Sequence, residues 1–111
     1  MKQGCLILLF TLLLGCSDPL PEDRLNYAGE WQSREMGLLI LADGSVSYKR
    51  LKGGTTVSVN GPVKAFDGDS FEVGLGPLST RFHVSQPPHK VNGRWQMVVD
   101  GVRLTRVDEH N

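Results

Sequence analysis

Side chains able to do chemistry are few in this sequence, and their spacing assembles no familiar reaction. The histidines are His83, His89 and His110. A metal site wants converging imidazoles and carboxylates held by a supporting shell, and paired histidines at His-x-x-x-His or similar spacing would announce one. That spacing is missing, so neither a metal nor a cofactor is expected. Ser58, Ser70, Ser79 and Ser85 would each need a base and an orienting acid, yet none stands in a Gly-x-Ser-x-Gly turn. Asp67 and Asp69 flank Gly68; paired carboxylates can move protons or hold calcium, but in a short turn they are more commonly solvated. Lys49, Arg50 and Lys52 form the one basic cluster. It suits anionic headgroups or an acidic partner, or simply keeps a strand edge soluble. The expectation is a protein that is not an enzyme.

The remaining reactive groups are two thiols, Cys5 and Cys16. Lys2 and the amino terminus supply positive charge, residues 6–14 form an apolar run interrupted by Thr11, and Gly15 is small. That is the layout of an export signal. A spanning helix needs about 20 apolar residues to cross roughly 30 Å of hydrocarbon, and this run ends sooner, at Gly15, Ser17 and Pro19. Leu13-Leu14-Gly15-Cys16 resembles the lipobox of bacterial lipoproteins. The resemblance implies that diacylglycerol is attached to Cys16, that residues 1–15 are removed, and that Cys16 becomes the new amino terminus. Cys5 follows Gln3 and Gly4, with no apolar segment before it, and leaves with the leader. Each buried CH₂ adds about 0.8 kcal/mol, so two or three acyl chains make a persistent membrane anchor. In such lipoproteins an aspartate after the lipidated cysteine marks inner-membrane retention; Ser17 stands there, which implies the outer membrane, facing the periplasm.

Once the leader is gone the chain has room for one small domain. The full sequence balances 12 basic against 12 acidic residues. Loss of Lys2 leaves one surplus acid, which argues against nucleic acid as a partner. With Cys16 alkylated no thiol remains for a disulfide, so the fold must rest on its apolar core and on hiding its sheet edges.

Residues 16–26, with Pro19 and Pro21, read as a lipidated tether, residues 27–107 as the folded domain, and 108–111 as a disordered tail. Within the domain, runs rich in Val, Leu, Phe, Thr and Tyr are punctuated by Asp43-Gly44, Gly53-Gly54, Asn60-Gly61, Asp67-Gly68 and Asp100-Gly101. Such dipeptides accept the positive φ of tight hairpin turns. The pattern predicts strands at 30–34, 38–41, 46–51, 55–59, 63–66, 71–75, 80–85, 94–99 and 102–106. Alternation marks an inward face, as in Phe71, Val73 and Leu75 or Trp95, Met97 and Val99. Residues 38–41 are apolar on both faces and predict a central strand or one covered outside. Residues 86–93, with Pro87 and Pro88, read as a loop. The fold class is all-β: a small antiparallel meander of about eight short strands, closed as a barrel or folded as a two-sheet sandwich.

Gly29-Glu30-Trp31 at the head of the first strand is similar to the opening of lipocalin-like barrels, where the tryptophan plugs the closed end. Trp31 and Trp95 are therefore candidates for ligand contact, although both also fit as core residues. Three functions compete. The first is a non-enzymatic interaction module contacting another envelope protein through a strand edge or loop. The second is a lipocalin-like binder of a small apolar ligand. The third is an inhibitor of a periplasmic enzyme, since small β-barrel lipoproteins that block lysozyme have this size and address, though they are typically stapled by disulfides.

The anchor has a direct test. Cys16→Ser should move the folded protein from the membrane to the soluble fraction on cell fractionation; a variant that stays with membranes would remove the lipid from the account.

Overall fold

The computed structural model describes residues 18–107; the leader, the lipobox residues Leu13, Leu14, Gly15 and Cys16, and residues 108–111 lie outside the described residues. The described chain forms nine strands: β1 (Gly29–Gln32), β2 (Met36–Ile40), β3 (Ser45–Lys52), β4 (Thr55–Asp67), β5 (Ser70–Leu75), β6 (Leu78–Phe82), β7 (Val84–Val91), β8 (Arg94–Val99) and β9 (Val102–Arg106). They make one antiparallel sheet in the order β6-β5-β4-β3-β2-β1-β9-β8-β7. The sheet curls into a half-barrel. Of the two expected forms, this is the barrel-like meander.

Turn chemistry and alternation explain most of it. Asp100-Gly101 carries positive φ at both positions, 49° and 81°, the geometry that matches strand twist in a two-residue hairpin. Trp31, Leu38, Ile40, Phe71, Phe82, Met97 and Leu104 are fully or almost fully buried on the concave side. Phe71 is the hub of an aromatic chain, its ring centroid 6.1 Å from Tyr27, 5.8 Å from Phe66 and 5.3 Å from Phe82, which in turn stands 4.8 Å from Tyr48. Tilted and edge-on pairs of this kind add about 0.5–1.5 kcal/mol each beyond the area they bury.

Several expectations are corrected. Asn60-Gly61 is not a turn: β4 runs straight through it, with Asn60 opposite Ser47 and Gly61 opposite Val46. Gly61 serves close packing instead, since a Cβ there would stand 3.5 Å from Val73 Cγ1. Residues 86–93 are not a loop but most of β7 and its turn. Pro87 and Pro88 are accommodated because β7 is an edge strand whose pairing with β8 slips between Gln86 and His89. The strand expected at 80–85 is two strands, broken at His83. β2 is central, between β1 and β3, but its outer side is uncovered, with Leu39 and Leu41 exposed.

Packing also begins earlier than Tyr27. The Leu20 side chain is buried and its N–H donates to the Ala42 carbonyl at 3.0 Å. Residues Glu22–Tyr27 form a 3₁₀ helix. The Arg24 guanidinium lies 4.9 Å from the Phe66 ring and donates to the Gly68 carbonyl at 2.7 Å. Tyr27 donates its hydroxyl to the Asp69 carbonyl at 2.7 Å, while its own carbonyl accepts the Trp31 indole N–H at 2.9 Å. Composition made this segment look like a tether; the apolar faces of Leu20 and Tyr27 dock it.

Burial, followed by the nearby Asp69 carboxylate, raises the Tyr27 phenol above its ordinary pKa of 10.0, against a smaller opposing pull from Arg24. Above that ordinary value the unfolded chain has lost a proton that the folded chain keeps, so stability falls as pH rises. Denaturant midpoints should drop as pH rises past about 10. Tyr27→Phe should start lower, having lost a hydrogen bond, but show a flatter alkaline decline; an unchanged slope would count against the assignment.

Candidate functional site

The one cluster with the residue types of acyl-transfer chemistry sits where β6 meets β7. Ser70, at the start of β5, is the sole buried polar residue among the described residues. Its Oγ accepts the Val84 N–H at 2.9 Å and lies 3.5 Å from His83 Nδ1. Asp100 Oδ1 accepts the His83 backbone N–H at 2.9 Å, and the Asp100 N–H donates to the His83 carbonyl at 2.7 Å. In a hydrolytic triad the acid must hold the imidazole, to fix its tautomer and stabilise its charge. Here Asp100 grips the main chain instead, and Ser70 Oγ is committed to a backbone amide. The arrangement fastens a corner. No sequence spacing announces it, because the three residues come from three separate elements.

Trp31 is entirely buried, with its indole N–H satisfied by Tyr27. Trp95 is half-buried and its ring is attended by cations, Arg106 Cζ at 5.2 Å and Lys90 Nζ at 5.7 Å. Gly29 makes this possible: its φ is +144°, and the space a Cβ would need is filled by Arg106 Cδ, 2.5 Å away. Both tryptophans are therefore engaged within the fold. His89 Nδ1 lies 2.9 Å from the nearby Pro87 carbonyl oxygen. Asp67 pairs with Arg81 at 3.1 Å, while Asp69 uses its main-chain carbonyl for Tyr27. Among the described residues no three His, Cys, Asp or Glu side chains converge on one point. Cys16 lies outside the described residues, two positions before Asp18, which rests against Gly44 in the β2–β3 turn.

The opposite end of β3 is the least finished part of the surface. Eight residues at about 3.3 Å each put the β3–β4 hairpin tip roughly 25 Å from the β2–β3 turn. β4 pairs with β3 along residues 55–62 but with β5 only from Val63 onward, so its first half has one open edge. The register gives that edge a parity. The Val63 N–H donates to the Gly44 carbonyl, so Val57, Val59 and Gly61 aim their backbone groups at β3. Thr56, Ser58 and Asn60 must then aim theirs outward. Pro62, which has no amide to offer, shares this outward parity where the open edge gives way to β5.

Beside this edge the β5–β6 hairpin ends in Leu75-Gly76-Pro77-Leu78, whose leucines are 65% and 78% exposed. A groove of about 430 Å³ runs between them, with Val59, Gly61, Val73, Leu75 and Leu78 among its lining. A second groove, of about 400 Å³, lies on the other flank of the arm against the β1–β2 turn and includes Lys49 and Leu51. Among the basic residues here, Arg50 pairs with Glu35 at 3.3 Å, whereas Lys49 and Lys52 have no ion pair among the described residues. The sequence singled out the basic cluster; the open edge and exposed leucines were hidden by the false turn at Asn60-Gly61.

The corner yields a stability test. Ser70→Ala strands a buried N–H and should cost about 1–3 kcal/mol in denaturant titration. His83→Ala, at an exposed ring, should change stability by less than about 0.5 kcal/mol. Equal losses would mean that the imidazole, not the hydroxyl, secures the junction. No family model, curated protein or solved structure matches this chain, so its site rests on geometry alone.

Proposed function

We propose that this chain is a lipoprotein of the bacterial outer membrane, held by lipid on Cys16, whose β domain is a non-enzymatic interaction module for another envelope protein. The observation that carries the reading is the separation of the two ends. The described chain starts at the β2–β3 turn, while the open β4 edge and the unpaired lysines run on toward the far end of β3, with the exposed leucines flanking that edge beside residues 58–61. A lipid attached two residues before Asp18 would hold the first end to the bilayer and turn the second toward the periplasm. The basic cluster then faces a protein partner rather than headgroups.

An apolar ligand is the less supported alternative. The concave side is filled by Trp31, Phe71, Phe82 and Met97 rather than lining a chamber, which leaves such a ligand only the outer grooves. Small barrels fill themselves in this way.

Affinity capture with the lipidated full chain from envelope extracts should recover one partner in stoichiometric amount, and Leu75→Ser/Leu78→Ser should reduce that recovery. Repeated capture of no partner, or capture indifferent to the double substitution, would count against the module and its placement.

A further inference from the structure

We infer that the open edge of β4 binds an extended, acidic segment of a partner protein, which adds to the sheet as a strand beside residues 55–60. The inference deepens the interaction-module reading and rests on it. An edge with unpaired N–H and C=O groups at alternate residues is complementary to one kind of ligand, another strand. Thr56, Ser58 and Asn60 present those groups in register. Because β4 continues into the sheet beyond Val63, an added strand would extend an ordered ladder rather than pair with a loose segment.

Side chains set the ligand's composition. On the concave face, Val57, Leu75 and Leu78 are exposed and Val59 is half-buried, a floor for alternate apolar residues of the incoming strand. The intervening residues would meet cations. Lys49, opposite Ser58 on the outer face, and Lys52, opposite Thr55 near the tip of the arm, have no ion pair among the described residues. The Glu35 carboxylate, at the β1–β2 turn, is taken by Arg50. A chain whose total charges cancel thus has a basic far end, and an acidic strand is its electrostatic complement. The same charges disfavour a second copy of this chain, since pairing β4 with β4 would bring both sets of lysines together.

The test uses the full chain in detergent and two synthetic peptides, one alternating valine with glutamate and one alternating valine with lysine. The glutamate peptide should bind and slow hydrogen exchange at the amides of Thr56, Ser58 and Asn60. The lysine peptide should bind about tenfold more weakly, and Lys49→Glu/Lys52→Glu should reverse the preference. Ser58→Pro removes an amide aimed away from β3, so the variant should keep its melting temperature and lose binding. If Ser58→Pro proves unfolded, methylation of alternate peptide nitrogens tests the same bonds from the other side and should abolish binding.

Absence of protection at those three amides, equal affinity for both peptides, or edge-mediated dimerisation without peptide would each overturn the proposal. Cys16→Ser should leave peptide binding intact because the described chain that follows it begins at the opposite end, where Asp18 rests against Gly44. Loss of the anchor and loss of the strand site are therefore separate readouts. A partner captured from the envelope but insensitive to Ser58→Pro would spare the interaction module while removing this site.

Discussion

The sheet's two edge strands are consecutive in sequence, joined by His83 alone, and that corner is the constraint on which the rest of the structure depends. Phe82 and Val84 both point into the core, yet the strand cannot remain single, because β6 must pair with β5 while β7 pairs with β8. The break frees backbone groups that burial would otherwise leave unsatisfied, and an unpaired buried amide is expensive. Ser70 takes the Val84 amide, and Asp100 takes both the N–H and the carbonyl of His83. The ends of a nine-strand ribbon are thereby brought to one point without a closing ladder. A serine, a histidine and an aspartate meet there because the chain needs short polar groups at a corner.

With the corner fastened, the half-barrel has a concave side to fill and one mouth to cover. Phe71 and Phe82 flank the corner and begin the aromatic chain that leads to Tyr27 and Tyr48. The 3₁₀ helix then brings Tyr27 over the mouth, where it satisfies the Trp31 indole and is itself held by Asp69. The long-range hydrogen bonds of this plug, made by Leu20, Arg24 and Tyr27, join the segment before β1 to turns that arrive later in the chain. With no cysteine among the described residues, the amino-terminal segment is secured through side chains and main-chain carbonyls.

That docking gives direction to a molecule whose composition has none. Acidic residues, among them Asp18, Glu22, Asp23, Asp43, Asp67 and Asp69, lie around the end where the described chain begins, and Arg34, Lys49 and Lys52 lie toward the other. A balance of 12 against 12 conceals this polarity. The β3–β4 arm is longer than the neighbours that could cover it, so its edge, its leucine-bearing flank and its cations are left to solvent together.

The sequence by itself determined what depends on neighbours along the chain. An export leader over residues 1–15 and a lipid on Cys16 are expectations of this local kind, resting on charge, apolar length and one cysteine. Asp43-Gly44, Gly53-Gly54, Asp67-Gly68 and Asp100-Gly101 announced hairpins because positive φ is a local demand, and alternation placed Phe71, Val73 and Met97 inside. Only the tertiary structure decided the rest. Asn60-Gly61 could have turned, but ladder bonds to Ser47 and Val46 on a neighbouring strand hold it extended. Pro87 and Pro88 looked incompatible with a strand until β7 was found at an edge, where a missing amide costs little. The corner of Ser70, His83 and Asp100 and the open edge at Thr56, Ser58 and Asn60 are likewise facts of pairing between distant segments. Turn propensity is carried by two residues and can be read in a line; whether a strand has a neighbour is set by how the whole sheet curls.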